Sequence, residues 1–172
     1  SRGATGHKEF VDLNNLVQES FKLSYHAARA KDNAFLVTTE TDFDNSIANV
    51  ELVPQDISRV LLNLFNNSFY AVDQKKKTAA QEFKPTIWIS TKKKVDKIII
   101  VIRDNGTGIP ANIIDKIFQP FFTTKPTGQG TGLGLSLSYE IIKVHSGELK
   151  VESEPGSFSE FIIELPYVTQ AV

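Results

Sequence analysis

Pro54-Gln55-Asp56-Ile57-Ser58-Arg59-Val60-Leu61-Leu62-Asn63-Leu64-Phe65-Asn66-Asn67-Ser68-Phe69-Tyr70-Ala71-Val72 sets the architecture of this chain. Ile57, Val60, Leu61, Leu64, Ala71 and Val72 form one apolar stripe at helical spacing. Pro54 suits a first turn, where its missing N–H has no partner to lose. These features predict a helix from Pro54 to about Lys77. Asn63 and Asn67 sit badly inside it, because each costs about half a kcal/mol relative to Ala and competes for backbone hydrogen bonds. Arg59, Asn63 and Asn67 lie four apart beside the apolar stripe, so all three can point into one cleft. Taken alone, such a pair of asparagines is more often a hydrated helix flank. An amide oxygen is also a hard, neutral ligand suited to Mg²⁺ among nucleotide phosphates.

Before this helix, Asp12 is a good N-cap, and Leu13, Leu16, Val17, Phe21, Ala27 and Ala28 predict a helix to about Lys31. A strand is expected over 35–41, closed by turn-prone residues 42–46, and a short one over 50–53. Residues 1–11 are Gly-rich and polar and are expected to be a linker, a frayed end or the end of a preceding helical domain. After the helix, the apolar runs Ile87-Trp88-Ile89 and Ile98 to Ile102 predict strands at 86–91 and 97–103 that helices cover on at least one face. A short helix is expected from Ala111 to about Phe118, and a longer one from about Thr131 to His145. Alternation through Leu149, Val151, Phe161, Ile163 and Leu165 around Pro155-Gly156 predicts a closing hairpin. Elements in this order predict an α+β fold of two layers, a mixed sheet with helices on one face.

With 172 residues and a formal charge of -1, the chain fits one domain and carries no basic footprint for nucleic acid. Lys75 to Lys77 and Lys92 to Lys94 are local runs expected at solvated element ends. The chain has no cysteine, so packing must hold it together, as suits a reducing cytoplasm. No apolar run approaches the roughly 20 residues that span a bilayer. A start at Ser1 without Met is expected of a piece of something longer.

Three further segments resist a bland reading. Arg103-Asp104-Asn105-Gly106-Thr107-Gly108-Ile109-Pro110 follows an apolar strand. It is an ordinary turn signal, but it also offers a carboxylate at a strand end and two glycines that let a flat ring approach. Such a carboxylate accepts from the exocyclic amine of adenine and repels the carbonyl oxygen that guanine places there. Gly106, Gly108 and Ala111 match the loose dinucleotide fingerprint, but Pro110 interrupts it and no parallel crossover unit surrounds it. Phe118-Gln119-Pro120-Phe121-Phe122-Thr123-Thr124-Lys125-Pro126 fits no amphipathic element. It reads as a loop anchored by aromatics, or as a lid that brings Lys125 to a terminal phosphate. Gly128-Gln129-Gly130-Thr131-Gly132-Leu133-Gly134-Leu135-Ser136 opens the last helix. Glycines there would cost close to 1 kcal/mol each within a helix, whereas bare N–H groups at a helix start bind anions. The Lys-Ser/Thr end of a Walker loop is absent.

In that fixed order, the four segments resemble the N, G1, F and G2 boxes of histidine kinases. These belong to the GHKL superfamily, with gyrase-type topoisomerases, mismatch-repair ATPases and a heat-shock chaperone. The resemblance covers about 50–166, and residues 12–172 are expected to form the ATP-binding catalytic domain. It implies three main helices on a mixed five-stranded sheet, with ATP between helices and lid. Asn67 would ligate Mg²⁺, with Asn63 and Tyr70 at the same phosphate site. Asp104 would read adenine, with Gly106, Gly108 and Ile109 beside the ring. Phe118, Thr123, Thr124 and Lys125 would belong to the lid, and Gly130, Thr131, Gly132, Leu133, Gly134 and Leu135 would cradle phosphates. Many histidine kinases carry a Lys where this chain has Tyr70.

The superfamily's ATPases place a Glu four residues before the metal-binding Asn, and here that position is Asn63, which cannot take a proton from water. The resemblance therefore implies transfer of the γ-phosphoryl group of ATP to a histidine, a reaction that needs mainly positioning and charge stabilisation from Asn63, Lys125 and their neighbours. An ATPase of the same superfamily and a non-catalytic nucleotide module are the rival readings. His7, His26 and His145 do not match the acceptor pattern and are expected at the surface or as caps, with His145 positively charged at a helix end. The acceptor would lie on a separate histidine-bearing dimerisation domain that passes phosphate to a response regulator. The whole protein would be a homodimer and this fragment a cytoplasmic monomer.

Overall fold

The long helix appears where its periodicity placed it, as α2 (Pro54–Thr78), and its stripe is dry: Ile57, Val60, Leu61, Leu64, Phe65 and Val72 are fully buried. The computed structural model describes residues 6–125 and 133–167. In chain order the other elements are β1 (Glu9–Val11), α1 (Leu13–Lys31), β2 (Thr38–Asp42), β3 (Val50–Leu52), β4 (Thr86–Lys93), β5 (Lys97–Asp104), a 3₁₀ turn (Ile114–Lys116), α3 (Gly134–Val144), β6 (Glu148–Glu154) and β7 (Phe158–Pro166).

Five strands form a mixed sheet ordered β2-β4-β5-β7-β6, in which β2 runs parallel to β4 and the other pairs are antiparallel. Alternate residues of its central strands, Ile87, Ile89, Ile98, Ile100, Ile102, Phe161 and Ile163, are buried with the α2 stripe in one core. The intervening Ile99, Val101 and Ile162 are half-buried, so the run Ile98 to Ile102 has one dry face and one partly wet one. The fold is an α+β sandwich with three helices on one sheet, as expected.

Helix α1 starts at the expected cap, where Asp12 Oδ1 accepts the Asn15 N–H at 3.1 Å. An aromatic cluster joins it to α2: Phe21 meets Phe65 edge-on at 5.2 Å, and Phe35 meets Phe69 at 5.6 Å. This cluster explains why β2 begins at Thr38 rather than at Phe35. The Val37 N–H donates to Tyr25 Oη at 3.0 Å, which ties 35–37 to α1 instead of to the sheet.

Other boundaries also differ from expectation. Glu9–Val11, within the stretch read as a linker or frayed end, pairs antiparallel with β3, Val11 opposite the buried Val50. Between Pro110 and Pro120 the chain forms no α-helix. It steps through i→i+3 bonds from Ile113 N to Pro110 O, Lys116 N to Ile113 O and Gln119 N to Lys116 O. So few residues between two prolines cannot repay helix nucleation. The helix expected from about Thr131 begins at Gly134, with Leu133 as its N-cap, and Thr131 itself lies outside the described residues. It ends on Ser146 with φ +61° and a bond from Gly147 N to Ile142 O.

His145 caps the C-terminus of α3, as expected of a capping histidine, but it is buried and not at the surface. Its Nε2 accepts the Val53 N–H at 3.2 Å, and its Nδ1 faces Ile141 O at 2.9 Å. It links the start of α2 to the end of α3. The lysines 75–77 do more than solvate a helix end, since Lys75 Nζ bonds Gly156 O at 2.9 Å and Lys76 Nζ bonds Phe83 O at 3.2 Å.

Phe65, fully buried between α1 and the sheet, is the test of this packing. Phe65→Ala should cost about 3–5 kcal/mol in urea unfolding, while Val95→Ala, at a fully exposed turn, should stay within about 0.5 kcal/mol.

Candidate functional site

Asp104 ends β5 under α2, with 1% of its surface exposed. Burial drives its carboxyl up to about 6, against the lowering effects of the Gly106 N–H, the nearby Ser68 hydroxyl, and the Lys75 and Arg103 charges. The Gly106 N–H donates to Asp104 Oδ1 at 2.9 Å. Ser68 Oγ is buried and closes no hydrogen bond of ordinary geometry among the described residues, so it acts on Asp104 only as a nearby dipole.

The loop after Asp104 is pinned on three sides. Asn105 Oδ1 accepts the Thr86 N–H at 2.9 Å and Asn105 Nδ2 donates to Lys84 O at 2.9 Å. The Ile109 N–H donates to Ser153 Oγ at 2.7 Å, and the Gly156 N–H donates to Thr107 O at 2.7 Å. The glycines here answer first to protein. A Cβ on Gly106 would lie 2.6 Å from Ala71 of α2, and one on Gly108, where φ is +70°, would lie 2.3 Å from Glu154 O. Gly106 therefore packs the loop on α2 and does not line the cavity, contrary to its expected place beside a ring. Gly108 does line it.

That cavity holds about 510 Å³ between α2, the loop after β5, the 118–125 segment and the start of α3. It brings together most of the side chains singled out from sequence: Asn63, Asn67 and Tyr70 from α2, Asp104, Gly108 and Ile109 from the strand end, Thr123, Thr124 and Lys125, and Gly134 and Leu135. Arg59 is exposed and Leu133 lies half outside, and neither lines the cavity. Phe118 packs on the core and against Tyr139, ring centroids 5.4 Å apart, rather than facing the cavity. Gly130, Thr131 and Gly132 lie outside the described residues. Sequence reading missed Asn66, Thr107, Phe122 and Ser159 in the lining, along with the pins Asn105 and Ser153. Asn105 and Thr107, inside the turn motif, and Phe122, inside the aromatic segment, carried a signal; Asn66, Ser153 and Ser159 carried none.

The two asparagines share one hydrogen-bond chain. Asn67 Nδ2 donates to Asn63 O at 3.0 Å, and Asn63 Nδ2 donates to Gly134 O at 3.1 Å and to Ser138 Oγ at 3.2 Å. Both side chains line the cavity, and an amide oxygen is a donor that fits a hard cation completed by phosphate oxygens. Among the described residues the first turn of α3 receives no side-chain cap, and Gly134 and Leu135 open onto the same space. A helix N-terminus suits an anion.

Fold and cavity together define an ATP-binding domain of the GHKL kind. The chain belongs to the family described as histidine kinase-, DNA gyrase B-, and HSP90-like ATPase, whose model matches residues 52–169. It is 31% identical over 161 residues to the sensor histidine kinase ZraS of Salmonella typhi, and 35% identical over 156 residues to the signal transduction histidine-protein kinase AtoS of Escherichia coli K12. These matches take in 93% and 91% of this chain but only 31% and 23% of the relatives' lengths. Among solved structures, the catalytic domain of histidine kinase ThkA superposes with a TM-score of 0.73 at 31% identity, covering 94% of this chain and 96% of that one. Full-length ShkA, at 18% identity and a TM-score of 0.80, shares the fold over 100% of this chain and 34% of its own. Among the described residues no helix is long and apolar enough to cross a membrane.

The raised Asp104 makes a stability prediction. Its protonated form suits the fold, so stability is highest below the ordinary carboxylate pKa and is lost as pH rises through about 6. Asp104→Asn should therefore stabilise the nucleotide-free domain at pH 7.5 by up to about 3 kcal/mol. In denaturant titrations that gain should shrink toward zero as pH falls to about 4.

Proposed function

We propose that this chain, over residues 12–172, is the ATP-binding catalytic domain of a sensor histidine kinase. It donates the γ-phosphoryl group to a histidine on a separate dimerisation domain of the same protein, for relay to a response regulator. The observation that carries this is a single cavity lined by Asn67, Asp104 and Gly134, set in a member of a family that uses ATP.

In this reading the ionised Asp104 accepts from the adenine amine while Gly108 and Ile109 wall the ring. Gly134 and Leu135, with Gly130, Thr131, Gly132 and Leu133 before them, receive phosphates on backbone N–H groups. Thr123, Thr124 and Lys125 close on the phosphate end. Asn67 would offer Oδ1 to Mg²⁺, with Asn63 beside it, and the ion would supply neutralisation of phosphate charge. The acceptor imidazole attacks the γ-phosphorus with its own lone pair, an N–P bond forms, the bridging P–O bond breaks and ADP leaves. No base is needed on the enzyme for that attack. Asn63 supports transfer over hydrolysis, because an amide whose N–H groups are donated to α3 cannot deprotonate water. The whole protein is taken as a homodimer, with this domain a monomer on the cytoplasmic side, where ATP is supplied.

The deciding experiment mixes the domain with its histidine-bearing fragment, labelled ATP and Mg²⁺. Label on the acceptor should be labile in acid and stable in base, and Asn67→Ala should lower its rate at least about a hundredfold. Label that survives acid would mean a hydroxyl acceptor and end the histidine-kinase reading. Because ionised Asp104 is a stronger acceptor than the protonated acid, affinity for adenosine, which carries no phosphate to titrate, should fall as pH drops below about 6. Adenosine binding that is flat in calorimetry from pH 7.5 to 5 would contradict the role given to Asp104.

A further inference from the structure

Lys125 is the one cation among the described residues lining the cavity. Its Nζ sits 4.8 Å from the centroid of the Tyr70 ring, within the range of a cation–π contact. Among the described residues it makes no ion pair. Its backbone N–H donates to Thr123 Oγ1 at 3.0 Å, which fixes where the side chain leaves the loop, and Phe118 and Phe122 anchor that loop on the core. Tyr70 stands one turn beyond Asn66 on α2, half-buried, with Asn67 three residues before it. The ring and the ammonium thus line the same cavity as Asn63 and Asn67. Burial holds Lys125 below its ordinary pKa, the mark of a cation partly stripped of water without a counter-charge.

We infer that Tyr70 is a positioning residue: its ring holds the Lys125 ammonium at the cavity wall for the phosphates of a bound nucleotide, so that α2, whose own Arg59 and Lys75 to Lys77 do not line the cavity, recruits a cation from the 118–125 loop. The inference rests on the ATP reading above. A carboxylate at position 70 would also attract Lys125, but it would neutralise the ammonium, and that ion pair would have to break before a phosphate could use the charge. An aromatic face attracts the ammonium and leaves its charge for the ligand. Tyr70 acts only through Lys125, so its effect should follow the phosphates and not the base.

The test is calorimetry with Mg²⁺ at pH 7.5, titrating adenosine and a non-hydrolysable ATP analogue into the wild-type domain, Tyr70→Ala, Tyr70→Phe, Lys125→Gln and the Tyr70→Ala/Lys125→Gln double variant. Tyr70→Ala should weaken the triphosphate about three- to tenfold and leave adenosine within about twofold. Tyr70→Phe, which keeps the ring, should recover most of the loss. The double variant should bind no more than about twofold more weakly than Lys125→Gln alone, because both changes remove one contact. Equal losses for adenosine and triphosphate, a Phe variant as damaged as the Ala one, or losses that add would each overturn the assignment. If Tyr70→Ala does not fold, the Phe variant still decides: a loss as large as that of Lys125→Gln refutes the role of the ring. A wild-type domain that takes up the triphosphate while Tyr70→Ala matches it removes the role of Tyr70 alone. Failure of the wild type to bind either ligand would remove the ATP reading and this inference together.

Discussion

A carboxylate forced out of water holds this architecture in tension. Asp104 ends the central strand β5 beneath α2, 1% exposed, with the Gly106 N–H as its hydrogen-bond donor. A nearby full charge would relieve it cheaply, yet Lys75 and Arg103 act on it only at a distance. Everything around it keeps that acid dry. Gly106 admits the loop to within touching distance of Ala71, Asn105 ties the loop to β4, and Ser153 and Gly156 tie it to the last hairpin. A buried acid that costs stability persists where a ligand's donor can satisfy it. The adenine amine is that donor in the proposed reading.

Helix α2 faces two ways, and its two faces explain its sequence. One stripe is among the driest surfaces in the molecule, with Ile57, Val60, Leu61, Leu64 and Phe65 all at 0% exposure. Beside it, Asn63 and Asn67 spend their N–H groups on Gly134, Ser138 and the helix's own backbone. The apparent error of two asparagines in a helix is therefore paired with α3: the same amide that weakens α2 locally joins it to the start of the next helix. His145 makes the matching link at the far end, between Val53 and Ile141. With both ends bridged, α2 and α3 set the width of the cavity between them.

Much of this was readable from residues, because period and punctuation are local signals. The α2 stripe, the Asp12 cap and the closing hairpin needed no tertiary information, and the carboxylate after an apolar strand marked Asp104. Misreadings arose where a distant partner overruled a local preference. Tyr25 took the backbone of 35–37 from the sheet, β3 drew Glu9–Val11 into pairing, and two prolines held 111–118 to 3₁₀ turns. His145 was placed correctly at the end of α3, but its partner was not legible, since the Val53 N–H that it receives lies 92 residues away in sequence. Gly106 and Gly108 were found for a reason that was only half right. Their spacing marked a tight approach, but a sequence does not say whether ligand or protein makes it, and here protein comes first.

The two ends of the cavity are built differently, and the difference bears on how a nucleotide would enter. At the Asp104 end, backbone and amide hydrogen bonds of 2.7–2.9 Å hold the 105–109 loop from several directions, so the base would meet a surface already in place. At the other end the described residues offer the Asn63 amide, bonded to Gly134 and Ser138 of α3, and the Lys125 ammonium over the Tyr70 ring. A base site whose groups are fixed beforehand loses little to reorganisation when adenine arrives, so discrimination can rest on it. Asn63 has no basic group with which to draw a proton from water, so in the proposed reading the helix that lines the phosphate end favours transfer over hydrolysis.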